Sequence, residues 1–325
     1  MADAELALED ARIASDLFPG HPMALEVELA ACGIAVGICR ETGQTAKADA
    51  VLARAEAAAQ ALSHHTKYPG SALSRANYFD TIRGDVAAAI EALRQARDRA
   101  KAAGEPPLFD LPYAHLLFRQ GDTARAMEVV EGEGVRPYMQ KAAGAGLIYL
   151  GLPDGPARAM QQHQDYMATN RPAVASFYSL AIPLALGRKA EATAGFRRLR
   201  DQLQHQRSLS LSVRSDWYQK LLDFGSDRLS EDELLRAAGT SLWNRCEAHF
   251  FAGLRQLGEG NRAAARAHFE KSVETRVYAF MDYQWSRTFL ALMSRDPNWP
   301  PWLPAGKGDG TAATDSIRQT VNPTK

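Results

Sequence analysis

One short phrase recurs along this chain and limits what it can fold into. The phrase is a glycine, a polar or charged residue, and an alanine-rich amphipathic run. It reads Gly43-Gln44-Thr45-Ala46-Lys47-Ala48, Gly84-Asp85-Val86-Ala87-Ala88-Ala89 and Gly121-Asp122-Thr123-Ala124-Arg125-Ala126. It returns as Gly187-Arg188-Lys189-Ala190-Glu191-Ala192 and Gly260-Asn261-Arg262-Ala263-Ala264-Ala265, with a weaker version at Gly151 whose helix opens on Pro156. The spacings are 41, 37, 30, 36 and 73 residues, and a degenerate stretch around Gly225 divides the last into two periods. A period of this length belongs to paired-helix repeats.

The physical content of the phrase is a helix stop followed by a helix start. Glycine accepts the left-handed backbone that ends one helix. Asp85, Asp122 and Asn261 stand where a side chain can accept from the free N–H groups of the next helix. The pattern predicts a leading helix over 1–18, then pairs at 22–40 and 45–62, 71–82 and 85–103, 108–119 and 122–131. Further pairs are predicted at 136–150 and 156–168, 172–186 and 188–206, an atypical 209–223 and 230–238, and 241–258 and 261–275. Ser230 and Glu233 form a capping-box signature. A last helix over 280–294 closes the array. Beyond it, the proline-rich stretch Asp296–Pro304 is expected to run extended, anchored by Trp299 and Trp302. The organisation is thus a leading cap over 1–21, a repeat array over 22–294, an extended segment over 295–304 and a disordered tail over 305–325.

The residues within the units resemble the tetratricopeptide repeat family. In the last unit Gly253 is the small residue of the first helix and Gly260 the turn, with Ala265, Phe269 and Ser272 on the second helix. Other units supply Ala192 and Phe196; Ala89, Leu93 and Ala96; and Ala48, Leu52 and Ala55. The family's first-helix tryptophan is missing, and its closing proline is irregular. The resemblance implies an all-α, right-handed superhelical solenoid of about seven antiparallel helix pairs with a closing helix. It also implies a concave groove lined by the first helix of each pair. In that register the groove candidates are Arg40, Tyr78, His115, Arg119, Tyr138, Lys141, Phe177, Glu247 and Phe250. Aromatics at such positions are also natural core residues. Members that bind chaperone tails carry a lysine and asparagine clamp. Gly33, Gly37, Ser74 and Tyr78 stand at the matching positions, so chaperone C-termini are not expected partners. The final unit, the helix carrying Trp285 and the Trp-Pro-Pro-Trp stretch together resemble repeat segments at the C-terminal ends of bacterial serine/threonine kinases. That likeness implies a signalling or scaffolding setting.

Composition narrows the classes further. The 38 basic and 38 acidic residues cancel, so nothing steers the chain toward nucleic acid or an anionic membrane. Arg197, Arg198 and Arg200 read as a solvated helix face. Aromatics are only 8%, which suits a thin core between stacked helices. Cys32, Cys39 and Cys246 read as buried thiols; the first two sit two helical turns apart, about 10 Å, too far to bridge. The first 18 residues lack the layout of a signal peptide, and no stretch reads as a membrane span, so a cytoplasmic location is expected.

Local matches to catalytic motifs fail on context. Asp223-Phe224-Gly225 lacks the other kinase elements, and Gly258–Ala263 follows a helix where a dinucleotide fingerprint needs a strand. Arg83-Gly84-Asp85 coincides with a repeat turn. Cys246 with His249, and adjacent His64 and His65, are not a metal-site spacing, so no metal or cofactor is expected. His163 with Asp165 is the nearest catalytic-looking pair. The expectation is a non-catalytic scaffold that binds a protein or peptide in its groove. One alternative is a regulator sensing a peptide or ligand. The other is an enzyme on a helical toroid, which requires three titratable groups converging in a deep pocket.

Overall fold

The glycine phrases are turns, and they are built alike. The computed structural model of the chain describes residues 2–105, 109–132, 146–152, 154–168, 174–205, 216–277 and 280–303. Gly43, Gly84, Gly121, Gly187 and Gly260 have φ of 70°, 69°, 100°, 68° and 85°. In four of the five turns the next residue's N–H returns to the carbonyl five positions back. These bonds are Gln44 to Cys39 (2.8 Å), Asp122 to Leu117 (2.9 Å), Arg188 to Pro183 (2.9 Å) and Asn261 to Gln256 (2.8 Å). That is the closure that satisfies the last free carbonyls of a helix. The requirement for glycine is twofold at Gly187. Its backbone is left-handed, and an added Cβ would also collide with the Gly258 carbonyl, where this turn meets the end of a later helix.

Among the described residues the chain is all-helical, without a strand. The elements are α1 (Ala2–Leu17), α2 (Pro22–Glu41), α3 (Thr45–Ser63), α4 (Pro69–Asn77), α5 (Val86–Ala102), α6 (Asp110–Gln120), α7 (Thr123–Glu131) and α8 (Gly146–Tyr149). They continue as α9 (Gly155–Ala168), α10 (Val174–Ala185), α11 (Lys189–His205), α12 (Asp216–Gly225), α13 (Glu231–Ala238), α14 (Leu242–Gly258), α15 (Arg262–Glu274) and α16 (Met281–Arg295). Neighbours in sequence pack together: α2 on α3, α4 on α5, α6 on α7, α8 on α9, α10 on α11 and α14 on α15. Asp85 and Asp122 cap as expected, accepting from Ala88 N (2.9 Å) and Arg125 N (3.2 Å). Asn261 holds the cap position but makes no cap bond; its amide donates to Gln256 Oε1 at 2.9 Å instead. The Ser230–Glu233 capping box is complete.

Small residues and bulky ones meet across the pairs. A Cβ on Gly253 would lie 2.6 Å from the Phe269 ring, and one on Gly225 would overlap the ring of Phe196. Phe196 and Phe269 are both fully buried, and Phe269 continues onto Phe289 of α16, with ring centroids 5.2 Å apart. The core forms one block around α1–α3 and a larger one from α4 onward, and Phe79 packs against both.

Three expectations change. The predicted helix over 71–82 is α-helical only to Asn77; Tyr78–Ile82 is a π-turn, closed by Arg83 N on Tyr78 O at 3.1 Å. The following turn is accordingly one residue longer, with Asp85 N bonding Phe79 O at 2.7 Å. The stretch after α16 is not extended. It is two successive turns, Trp299 N to Asp296 O (2.9 Å) and Leu303 N to Pro300 O (3.2 Å), opened by the Asp296 carboxylate accepting from Asn298 N (2.8 Å). Trp299 is buried against Phe289, and Arg262 donates to the carbonyls of Asn298, Trp299 and Leu303, so the expected anchoring holds while the backbone shape differs. Pro304 and the tail over 305–325 lie outside the described residues. Finally, one helix, Pro22–Arg40, is long and apolar enough by composition to cross a membrane, with mean hydropathy 1.6. More than half of that window is buried inside the protein. Its carboxylates are tied to neighbours: Glu26 accepts from Tyr68 and Ser74, and Glu28 from Arg54 and Ser15.

Phe269→Ala should cost about 3–5 kcal/mol of stability, because the cavity lies between α14, α15 and α16 and rigid helices cannot close over it. Urea unfolding checks this, and a loss below about 1 kcal/mol would contradict the packing described.

Candidate functional site

The helix α16 is buried on most of its circumference: Asp282, Tyr283, Trp285, Ser286, Thr288, Phe289 and Met293 are all enclosed. A helix covered nearly all round needs partners on several sides. One partner is the preceding helix α15, and the others are first helices of pairs far apart in sequence. Trp285 stacks on His115 of α6, with ring centroids 4.3 Å apart and planes at 18°. Phe289 lies against Phe250 of α14 at 6.4 Å. Tyr178 of α10 donates its hydroxyl to Asp282 Oδ2 at 3.0 Å. Just before α16, Arg276 fills the space left by Gly37 on α2, where a Cβ would strike its side chain.

An ion cluster pins the middle of α16. Asp80, in the π-turn, is 2% exposed and pairs with Arg119 of α6 and with Arg287, whose Nη1 lies 2.8 Å from Oδ2. Arg287 also donates to the Asp80 carbonyl (3.2 Å), and Arg119 donates to Gln284 Oε1 (3.3 Å). Two guanidiniums on one carboxylate leave an excess of positive charge. Burial, followed by repulsion from Arg287, lowers the Arg119 pKa. Burial, with Arg119 and Arg287 adding to it, holds His115 well below its ordinary pKa, so the ring is neutral. Thr288 donates its hydroxyl to the Gln284 carbonyl at 3.1 Å, which leaves His115 Nε2–H as the donor in the bond to Thr288 Oγ1.

The first turn of α16 carries the opposite problem. Glu247 of α14 and Asp282 are both buried, and among the described residues no cation pairs with either. Glu247 accepts from Trp217 Nε1 (2.6 Å) and the Tyr218 hydroxyl (3.4 Å) of α12. Asp282 Oδ1 and the hydroxyl of Ser286, one turn along α16, have no partner. Burial raises both carboxyl pKa values, and the Asp282 charge raises that of Glu247 further. Two carboxyls in this setting hold protons that ordinary carboxyls would have lost.

The candidates expected from sequence fall into place around α16. His115, Arg119 and Phe250 touch it directly, and Glu247 acts on it through Asp282. Phe177 is buried against Tyr218, with ring centroids 5.2 Å apart. Tyr78 is buried and donates to Glu56 Oε2 at 3.0 Å. Arg40 is exposed at the end of α2. Tyr138 and Lys141 lie outside the described residues. As open groove contacts Tyr78, His115, Arg119, Phe177, Glu247 and Phe250 are corrected. Their side chains are committed to α16 or to the core. Asp80, Tyr178, Asp282 and Arg287 were missed. The signal for two of them was present: Asp282 and Arg287 are charges on an otherwise apolar-rich closing helix.

The other singled-out residues have structural partners. His163 Nδ1 bonds Ser179 Oγ at 2.9 Å, while Asp165 takes Gln161, so the two do not converge. Cys246 bonds Ser272, and His249 faces His268 at 3.1 Å. Among the described residues no three His, Cys, Asp or Glu side chains gather in a metal-binding arrangement. Asp223-Phe224-Gly225 is the end of α12, with Asp223 paired to Arg200 at 3.3 Å.

The buried carboxyls give the fold a pH dependence of known sign. Their folded pKa values are raised, so between about pH 4 and neutrality these two carboxyls hold more protons in the folded than in the unfolded chain, and their contribution to stability falls as pH rises; the histidines His115, His163 and His249, whose pKa values burial lowers, contribute the opposite slope below about pH 6.5. Glu247→Gln should flatten that decline and make the protein more stable than wild type at pH 8. Urea titrations at a series of pH values test this; parallel curves for the two proteins would show that Glu247 is not held protonated. Comparison of the chain with protein-family models and with curated proteins finds no match.

Proposed function

We propose that the chain is a non-catalytic scaffold that binds a helical segment of a partner protein, or a peptide, along the row formed by α4, α6, α10 and α14. Its pairs, in this reading, continue as a right-handed superhelical stack of about seven, as in tetratricopeptide repeats. One observation carries the reading: the row already holds a helix. α16 lies on it with Trp285, Phe289 and Arg287 as anchors. Trp and Arg are among the side chains that dominate protein interfaces, and laying an amphipathic helix into a groove is a common mode of recognition. A partner helix with aromatic and arginine anchors at similar spacing has the matching chemistry. We place the protein in a cytoplasmic signalling setting, following its resemblance to the repeat ends of bacterial kinases.

The same observation favours the regulatory alternative over the enzymatic one. A partner that takes the row must release α16, so binding and exposure of the C-terminal segment are linked. Glu247 and Asp282 converge with the hydroxyls of Tyr178 and Tyr218, but these groups are enclosed by the core, whereas the enzymatic reading needs them to face an open pocket.

A labelled peptide with the sequence of residues 281–295 tests the proposal on the whole chain. Trp285→Ala combined with Arg287→Ala weakens the internal helix, so this variant should bind the peptide at least about tenfold more tightly than wild type. In the unaltered protein, excess peptide should speed hydrogen exchange of the amides of α16. If the variant takes up no peptide and exchange does not change, the row is a closed core and the reading is lost.

A further inference from the structure

A second site lies away from α16, between the α3–α4 turn and the last turns of α5. It is a cavity of about 490 Å³, within the size range of pockets for small organic ligands. Its cations are the unusual feature. Lys67, Arg75 and Arg99 line it, and Glu105 is the one carboxylate among the lining residues. Arg97 also borders the cavity but is neutralised by Asp110 of α6.

Arg75 is the most constrained of these cations. It projects from α4 with its guanidinium carbon 5.9 Å from the centre of the Phe79 ring. Its Nε is shielded from solvent and has no hydrogen-bond partner among the described residues. A buried N–H of a charged group left without an acceptor is costly, and native proteins rarely keep one without a reason. Burial lowers the Arg75 pKa, and the Arg99 charge lowers it further, so two like charges face each other here with no carboxylate between them. The first turn of α4, at Ser71 and Ala72, adds the positive end of a helix to the same wall. The remaining wall is apolar, from Leu62, Ala72 and Phe109.

We propose that this cavity binds a small organic molecule bearing a phosphate-type oxyanion, with Arg75 and Arg99 holding the anion, Lys67 at the rim, and Leu62 and Phe109 covering the organic part. A planar guanidinium matches the oxygen geometry of phosphate and carboxylate alike. Three unpaired cations favour the dianionic phosphate ester over a carboxylate. The assignment is independent of the helix-binding row, since it rests on different residues and needs no protein partner.

Calorimetric titration of the whole chain at low salt is the test, with phenyl phosphate, inorganic phosphate and benzoate as probes. Phenyl phosphate should bind saturably and more tightly than either of the others. Arg75→Gln and Arg99→Gln should each weaken it at least about tenfold, the loss typical of a charge-assisted hydrogen bond, and Glu105→Gln should strengthen it. Arg99 is exposed, so its variant reports on the site even if Arg75→Gln perturbs folding. Absence of saturable phenyl phosphate binding up to about 10 mM, a very weak affinity, would overturn the proposal. Unchanged binding in Arg99→Gln would overturn it as well. Equal affinity for inorganic phosphate and phenyl phosphate would overturn the organic-ligand part, and tighter binding of benzoate would replace phosphate by carboxylate.

Discussion

A single pair of helices cannot bury its own apolar faces, and every other feature of this chain follows from how that deficit is met. Along the chain the deficit is met by the next pair. Phe196 of α11 seats against Gly225 of α12, so the bulky ring is received by a position with no side chain of its own, and within the last pair Phe269 seats likewise against Gly253. Across the chain it is met by α16, which covers the first helices of early and late pairs together. The two solutions differ in kind. The first is local and repeats; the second happens once and joins residues more than a hundred positions apart.

That difference separates what the sequence displays from what it conceals. The turns at Gly43, Gly84, Gly121, Gly187 and Gly260 were legible because a left-handed residue followed by a cap is a matter of five or six neighbours. The limits of α2, α3, α5 and α15, which border such turns, followed from the same signals, and the capping box at Ser230 was legible in its own four residues. The enclosure of Tyr78, His115, Phe177, Glu247 and Phe250 was legible only in part, since aromatic residues at helical spacing are natural core residues while His115 and Glu247 are not. The place of α16 was not legible, because nothing near His115 announces that Trp285 will stack upon it. The π-turn at Tyr78–Ile82 was equally hidden: Asp80 within it is held by Arg119 and Arg287, both distant in sequence. The segment after α16 failed for a smaller reason. Its prolines exclude helix, but Asp296 and the Arg262 side chain choose turns over an extended course.

The electrostatics of α16 are uneven along its length. Its middle is fixed by the cluster of Asp80, Arg119 and Arg287, where loss of one partner strands another charge in the interior. Its first turn rests on Asp282 and Glu247, which are tolerated there because they hold protons and accept from Tyr178, Trp217 and Tyr218. One end of the helix is therefore sensitive to proton activity, while the middle depends on a cluster of ion pairs.

The bond between Asp80 and Arg287 spans 207 residues, and this has a consequence for how the protein is made. Translation delivers α6 long before α16. At typical speeds of synthesis the interval is on the order of ten seconds or more. Throughout it, the nascent chain displays the face on which Trp285 will rest, together with an aspartate and an arginine that still lack their third member. That face stays open to solvent through the interval, until the last helix arrives to shut it.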